Sequence, residues 1–195
     1  MTDRSILKAS PITPADAAEF IRGRRSVDQF TDDTPDPAII RDAVEVARWA
    51  PNHHLTQPWR FYQLGPKTQD AIIDLNTRLV AERKGDEVAI AKRERWQSMP
   101  GWLAITCVVE DDPVTAREDY AACACAIQNL SLYLHSAGLA SKWISGEVTR
   151  HPDLASILDI DSAREYCVGL LWYGYPKRQP RSQRSDLDRI LTTRP

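Results

Sequence analysis

The stretch Leu103-Ala104-Ile105-Thr106-Cys107-Val108-Val109 decides the fold class, because it is a continuous run of apolar and β-branched residues. Such a run predicts a β-strand that is covered on both faces. Shorter strands are predicted over 59–64 and 166–173, with a short extended piece over 143–145. Helices are interleaved with these strands, but there are too few strand–helix–strand units for a doubly wound parallel sheet. We therefore expect an α+β fold with three layers.

The predicted helices begin at capping signals and end at glycine or proline. Thr13-Pro14 begins the first helix, and Asp36-Pro37 and Asp112-Pro113 begin two others. Residues 121–126, in the middle of the longest helix, are all small, which favours packing in the core or across a subunit interface. The mixed charges of 87–95 predict a solvated helix face. Helices are expected over 14–23, 37–50, 67–83, 87–97, 114–137 and 151–159.

Composition excludes several classes of partner. The chain has 195 residues, of which 25 are basic and 27 acidic. This balance provides no basic field for nucleic acid or for an anionic membrane surface. The longest apolar runs, 102–109 and 120–127, are shorter than half of a membrane span, and the N-terminal sequence contains no secretory signal. We expect one domain over 1–195, with an N-terminal extension over 1–13 and a C-terminal tail over 176–195, in the cytoplasm. Cysteines without CxxC spacing are expected to be buried, reduced thiols: Cys107, Cys123, Cys125 and Cys167.

The first segment that could carry chemistry is Arg24-Arg25-Ser26, directly after Gly23. Two guanidinium groups and a hydroxyl group offer forked, charge-assisted donors for a phosphate or a carboxylate. Taken alone, the triplet is also compatible with an ordinary solvated surface.

Two further segments combine polar residues with rigid or small ones. Ala50-Pro51-Asn52-His53-His54-Leu55-Thr56-Gln57-Pro58-Trp59-Arg60-Phe61 is a polar loop held between two prolines, an arrangement that presents side chains for binding. Its two histidines have no carboxylate or cysteine at ligand spacing, so no metal site is predicted. Lys142-Trp143-Ile144-Ser145-Gly146-Glu147 contains a glycine that permits close approach of a flat ligand, and is also compatible with a simple turn.

Taken in order, these three segments resemble the FMN-dependent nitroreductase family, and most closely its short-chain branch. An RRS motif (24–26), an APNH-x-x-x-QPWRF motif (50–61) and a W-x-S-G element (143–146) occur there in the same order. The resemblance covers residues 14–192. It implies a nitroreductase-like three-layer fold with a mostly antiparallel central sheet flanked by helices. It also implies a homodimer with FMN at the subunit interface and a C-terminal tail that packs on the partner subunit.

The resemblance assigns parts of the chain to parts of FMN. Arg24, Arg25 and Ser26 would hold the phosphate–ribityl end and the pyrimidine edge. Ser145 and Gly146 would direct a backbone N–H at the central nitrogen of the flavin. No residue is assigned as a catalytic acid or base.

Other contacts would come from the partner subunit and from the tail. Trp49 and His53 would reach FMN from the partner, and Arg184 matches a late basic contact to the phosphate, with Arg181 as the alternative. The full implied set of cofactor-binding residues is Arg24, Arg25, Ser26, Trp49, His53, Gln57, Trp143, Ile144, Ser145, Gly146 and Arg184.

The implied activity is an NAD(P)H oxidoreductase with ping-pong kinetics. A nicotinamide would pass hydride to FMN and leave, and an electron-poor small molecule (a nitroaromatic, quinone or activated alkene) would then be reduced. Lys142, Arg83 and Arg93 are candidates for recognising the extra phosphate of NADPH. Two alternatives stay open: a non-catalytic flavin-binding module for storage or sensing, and a flavin-consuming or dehalogenating enzyme of the same fold.

Two positions depart from the family pattern. Many members have Lys or Arg two residues after the serine of the RRS-type motif, where this chain has Asp28. Another cation must then serve the pyrimidine edge, or that contact is absent. Members outside the short-chain branch often have Asn where this chain has Leu55.

Overall fold

The computed structural model describes residues 12–194. The predicted N-terminal extension therefore lies outside the described residues except for Ile12 and Thr13, as does the last residue of the tail. The helices are α1 (Pro14–Gly23), α2 (Pro37–Ala47), α3 (Pro66–Lys84), α4 (Asp86–Gln97), α5 (Pro113–Ser136) and α6 (Asp153–Leu158). The strands are β1 (Trp59–Gln63), β2 (Gly101–Val108), β3 (Ala140–Ile144) and β4 (Glu165–Gly174).

The four strands form one sheet in the order β1-β2-β4-β3, and each neighbouring pair is antiparallel. The two central strands are buried along most of their length, so the prediction of a strand covered on both faces is confirmed for β2. A register shift between Ile105 and Thr106 interrupts the β2–β4 ladder. Because of the strand order, β1 and β3 are the two edge strands of the sheet.

Two hydrophobic cores lie on opposite faces of the sheet. α2 and α5 cover one face, where Leu130, Leu134 and Leu171 are fully buried. α3, α4 and α6 cover the other face, where the rings of Trp96, Trp102 and Trp172 pack edge to face with centroids 5.2–5.6 Å apart. The expected three-layer α+β architecture is confirmed.

Side-chain caps explain where the helices begin. The Thr13 hydroxyl accepts from the Asp16 N–H (3.2 Å), and the Asp16 carboxylate accepts from the Thr13 N–H (3.3 Å). Asp36 and Asp112 cap α2 and α5 by accepting backbone N–H groups at 2.8 Å. These bonds satisfy donors that a helix N-terminus leaves unpaired, which is why the capping signals predicted these starts correctly.

Two predictions need correction. The third strand covers 140–144 rather than 143–145, because Ala140 and Ser141 pair with Gly174 and Tyr173 of β4, a pairing that local sequence does not reveal. Cys125 is exposed rather than buried, since the small-residue stretch of α5 packs only one side on the core.

Gly169 of β4 allows β3 to pack as it does. An added Cβ at this position would lie 2.1 Å from Nε1 of Trp143 and 2.7 Å from the Ile144 carbonyl oxygen. The absence of a side chain therefore lets the Trp143 indole lie over the β4 backbone.

We predict that Gly169→Ala lowers the free energy of unfolding by about 1–3 kcal/mol, the usual cost of overpacking. Urea denaturation measures it. Gly65→Ala is the matched control, because a Cβ there meets nothing within 4 Å and its φ of −81° suits any residue. Equal stability of the two variants would contradict this account of the β3–β4 contact.

Candidate functional site

Three arginines that the sequence predicted to bind an anion lie close together. Burial, followed by repulsion from Arg184 and Arg25, lowers the pKa of Arg24. No ion pair within residues 12–194 involves any of the three. The Nε atoms of Arg24 and Arg25 are buried without a hydrogen-bond partner in the described chain. Uncompensated positive charge with unused donors is what an anion-binding site provides.

The RRS segment is held against β3 and against the tail, which contributes the third member of this arginine cluster (Arg24, Arg25 and Arg184). The Val27 N–H donates to the Ser141 carbonyl (3.1 Å), beside a parallel bridge between Ser26 and Ser141. The Gln179 side-chain amide donates to the Gly23 carbonyl (2.7 Å), which fixes the tail beside the end of α1. The structure therefore brings together the RRS segment, β3 and the tail.

A cavity of about 610 Å³ lies between α3, α4 and β3. Ile144 and Gly146, two of the predicted site residues, line it. An added Cβ at Gly146 would meet nothing within 4 Å, and the φ of −74° does not require glycine. Neither conformation nor packing within the chain explains this glycine, so the backbone is open to a ligand on that side.

This ring-end cavity, as we call the space lined by Ile144 and Gly146, is rich in cations and unused donors. Asn76 Nδ2 and Trp172 Nε1 are buried in its lining and have no hydrogen-bond partner in the described chain, with the residues 5% and 2% exposed. Burial, then repulsion from neighbouring basic residues, lowers the pKa of Lys92. The cations of the lining are Arg83, Lys92, Arg95, Lys142 and Arg150.

The alternation of β3 divides its predicted site residues between two faces. Lys142 and Ile144 line the ring-end cavity, whereas Trp143 lies over Gly169 on the other face. Ser145 is exposed at the end of the strand, and its carbonyl accepts from the Arg150 guanidinium (2.9 Å). The structure thus brings Ile144 and Gly146, but not Trp143, to the lining of this cavity.

The loop of 50–58 turns through three non-glycine residues in left-handed conformation, at His54, Leu55 and Gln57. Such conformations cost free energy and persist where surrounding contacts enforce them. The Thr56 hydroxyl donates to the Asp119 carboxylate (2.6 Å), and the Gln57 N–H donates to the side-chain oxygen of Asn52 (2.9 Å).

This loop and the turn just before it, at Trp49, direct their predicted site residues outward. Trp49 is 76% exposed, Gln57 is exposed, and His53 Nδ1 lies 2.7 Å from the Glu118 carboxylate at the N-terminal half of α5. Arg24, in contrast, lies beside His135 at the other end of α5. Seventeen residues of helix span roughly 25 Å. Within one chain, the predicted site residues therefore form two separate groups, one near Arg24 and one near His53.

Sequence reasoning missed part of the ring-end cavity. The charges of α4 were expected to form a solvated face, and Glu87, Glu94 and Arg95 are exposed as expected. Lys92 and Arg95 nevertheless also line the cavity, one helical turn apart. The signal that could have found them is their spacing around the buried Trp96. Of the three cations considered for the NADPH phosphate, Arg83 and Lys142 line the cavity, whereas Arg93 pairs with Asp74 instead.

Residues 12–194 offer neither a metal cluster nor a membrane-spanning helix. They contain no group of three or more His, Cys, Asp or Glu side chains placed to hold a metal ion. No helix in that part of the chain combines the length and apolar character needed to span a bilayer.

Comparison with known proteins decides the family. The family model described as "Nitroreductase family" matches residues 21–175, most of the chain. The chain belongs to the nitroreductase family. The resemblance expected from the three sequence segments is thereby confirmed at the level of the family.

Individual relatives are distant but cover nearly the whole chain. YfhC of Bacillus subtilis strain 168, whose name places it among NAD(P)H nitroreductases, is 25% identical over 166 residues, which are 83% of this chain and 85% of that protein. A nitroreductase-like protein from Bacillus cereus has a TM-score of 0.79 at 24% identity and covers 96% of this chain and 98% of its own. A nitroreductase-type protein from Desulfovibrio desulfuricans, solved in complex with FMN, has a TM-score of 0.73 at 23% identity, with 96% and 99% covered. These structures confirm the nitroreductase fold.

The arginine cluster predicts a measurable response of His135. Burial, then the charges of Arg24 and Arg25, lowers the pKa of His135 below its ordinary value. A bound anion cancels part of this repulsion, so sulfate should raise the pKa of His135. NMR titration of the imidazole with and without sulfate measures the change, and Arg24→Gln should produce a similar rise without sulfate. If His135 responds no more than His151, which lies beside Asp153 instead, the cluster does not bind anions.

Proposed function

We propose that this protein is an FMN-dependent NAD(P)H oxidoreductase that reduces electron-poor small molecules. The observation that carries the proposal is the placement of an uncompensated arginine cluster and a cationic cavity along the same strand, β3. Family membership and the FMN complex of the D. desulfuricans relative support it.

The residues along β3 fit an elongated cofactor with a charged end and a flat end. The arginine cluster meets β3 at Ser141, and the ring-end cavity is reached at Ile144, roughly 10 Å further along an extended strand. The unused Nε atoms at one end suit the dianionic phosphate of FMN. The unused donors at the other end suit the carbonyl oxygens and ring nitrogens of the pyrimidine edge.

The chain contributes binding and electrostatics, whereas bound FMN supplies the chemistry of hydride transfer. Arg24 and Arg184 would hold the phosphate. β3 is an edge strand, and the only bridge on its outer side within the described residues is at Ser141, so the backbone beyond is open to the flavin. The lining cations would favour negative charge at the pyrimidine edge. One open face would take the nicotinamide and the acceptor in turn, which gives ping-pong kinetics.

A homodimer would complete the site. His53, beside Glu118, lies roughly 25 Å from Arg24 in one chain. Trp49 and Gln57 lie within four residues of His53 in the sequence. The same loop also exposes Leu55 (77%), which leaves two large apolar side chains uncovered there. We propose that these loop residues reach the FMN of the partner subunit, and that the exposed tail packs on that subunit.

The test of this function is anaerobic spectroscopy of the protein loaded with FMN. We expect a yellow dimer whose flavin absorbance bleaches with NADH or NADPH and returns when a nitroaromatic or a quinone is added. Sedimentation of the yellow species measures the dimer. Absence of FMN binding, or a loaded protein that neither nicotinamide reduces, would refute the oxidoreductase; the second result would favour a flavin-storage module. A loaded monomer would refute the shared site.

Gly146→Ala separates a role in cofactor binding from a role in folding. A methyl group there has free space in the chain but would occupy room needed by the ring, so FMN affinity should fall about tenfold or more, about 1.4 kcal/mol. The free energy of unfolding without FMN should not decrease, because the φ of −74° suits alanine. Isothermal titration and urea denaturation measure the two quantities. Unchanged FMN affinity would contradict the placement of the ring beside Gly146.

A further inference from the structure

Asp28 joins two cations of the ring-end cavity. Its Oδ2 accepts from Nζ of Lys142 at 2.6 Å and also from the Arg95 guanidinium. Lys142 belongs to β3 and Arg95 to α4, so one carboxylate connects two walls of the cavity. The hydrogen bond from Lys142, assisted by the nearby positive charges, holds the pKa of Asp28 below its ordinary value. The carboxylate is therefore ionised at neutral pH.

The charge balance of the cavity depends strongly on this residue. Five cations line it, but the carboxylates paired with them are only those of Glu147, 3.5 Å from Arg83, and Asp28, among the described residues. The lining is therefore strongly positive, and Asp28 removes one full charge from the side where Lys142 and Arg95 lie. Across a partly buried cavity, a single charge alters the energy of a bound anion appreciably.

We propose that Asp28 lowers the reduction potential of the bound flavin by neutralising the Lys142–Arg95 side of the cavity. The proposal rests on the proposed function. Two electrons from NAD(P)H and one proton convert the neutral flavin ring into an anion, with NAD(P)⁺ as the oxidised product. Cations near the ring stabilise this anion, and Asp28 offsets part of that stabilisation. The reduced cofactor is consequently a stronger donor to the acceptor than the five cations alone would allow.

A purely structural role for Asp28 has a different consequence. The ion triad could simply tie β3 to α4, and its loss would then loosen the cavity and weaken FMN binding. Loosening gives no reason for the potential to change in opposite directions when opposite charges are removed. The sign of the shift therefore distinguishes an electrostatic role from a structural one.

The experiment is a spectroelectrochemical titration of the FMN-loaded protein and its variants. Asp28→Asn keeps the shape of the side chain and should shift the midpoint potential to a more positive value by ~30 mV. This shift corresponds to about a tenfold change in the two-electron equilibrium constant. Lys142→Gln should shift it to a more negative value. Asp74→Asn is the matched control, because it removes an ion pair to Arg93 on the same helix as Arg95, and neither residue of that pair lines the cavity. It should leave the potential unchanged.

The outcomes are distinguishable. Opposite shifts for Asp28→Asn and Lys142→Gln support the proposal. Shifts in the same direction, or none in either variant, overturn it while the oxidoreductase function stands. If Asp28→Asn does not fold, Asp28→Ser, which also removes the negative charge, takes its place and should shift the potential to a more positive value. A wild-type protein that binds no FMN would overturn the proposed function, and this inference with it.

Discussion

The antiparallel pairing of β3 with β4 is the constraint on which the candidate site depends. Its register places Lys142 opposite Trp172 and Ile144 opposite Leu170, which turns Lys142 and Ile144 toward the ring-end cavity. Gly169 makes this pairing possible, because any side chain there would displace Trp143. The outer edge of the same strand then receives the RRS segment at Ser141. One edge strand thus fixes the spacing between the arginine cluster and the cavity.

Positive charge accumulates at both ends of this arrangement although the chain as a whole is slightly acidic, with a net charge of −2. Burial and repulsion between neighbouring cations disfavour the charged forms of Arg24 and Lys92. An anionic ligand bound between these groups would relieve the repulsion, and only the folded chain brings the groups together. Ligand binding should therefore stabilise the fold by mass action. The grouping of these cations therefore favours binding of an anionic ligand but lowers the stability of the chain without ligand.

Local sequence signals predicted the elements well, because caps and apolar runs act within a few residues. Thr13, Asp36 and Asp112 each cap the helix that follows, and the run beginning at Leu103 is the buried central strand. Contacts between distant segments were beyond such signals. The partners of Asp28 are 67 and 114 residues away, and the start of β3 depends on β4. Hence the three motifs could be recognised, whereas the long-range contacts that bring the α4 cations to the cavity could not.

The division of the predicted site within one chain has a thermodynamic consequence. The loop with Trp49 and His53 is held in a strained shape by Asp119 and Asn52, yet its large side chains contact solvent. Strain of this kind costs free energy, and hydrogen bonds of Thr56 and Gln57 within the chain offset part of that cost. If a second copy covers the loop, association and cofactor binding become coupled, because each partner supplies half of the other's site. Occupancy of the site then depends on the concentrations of both the protein and the cofactor.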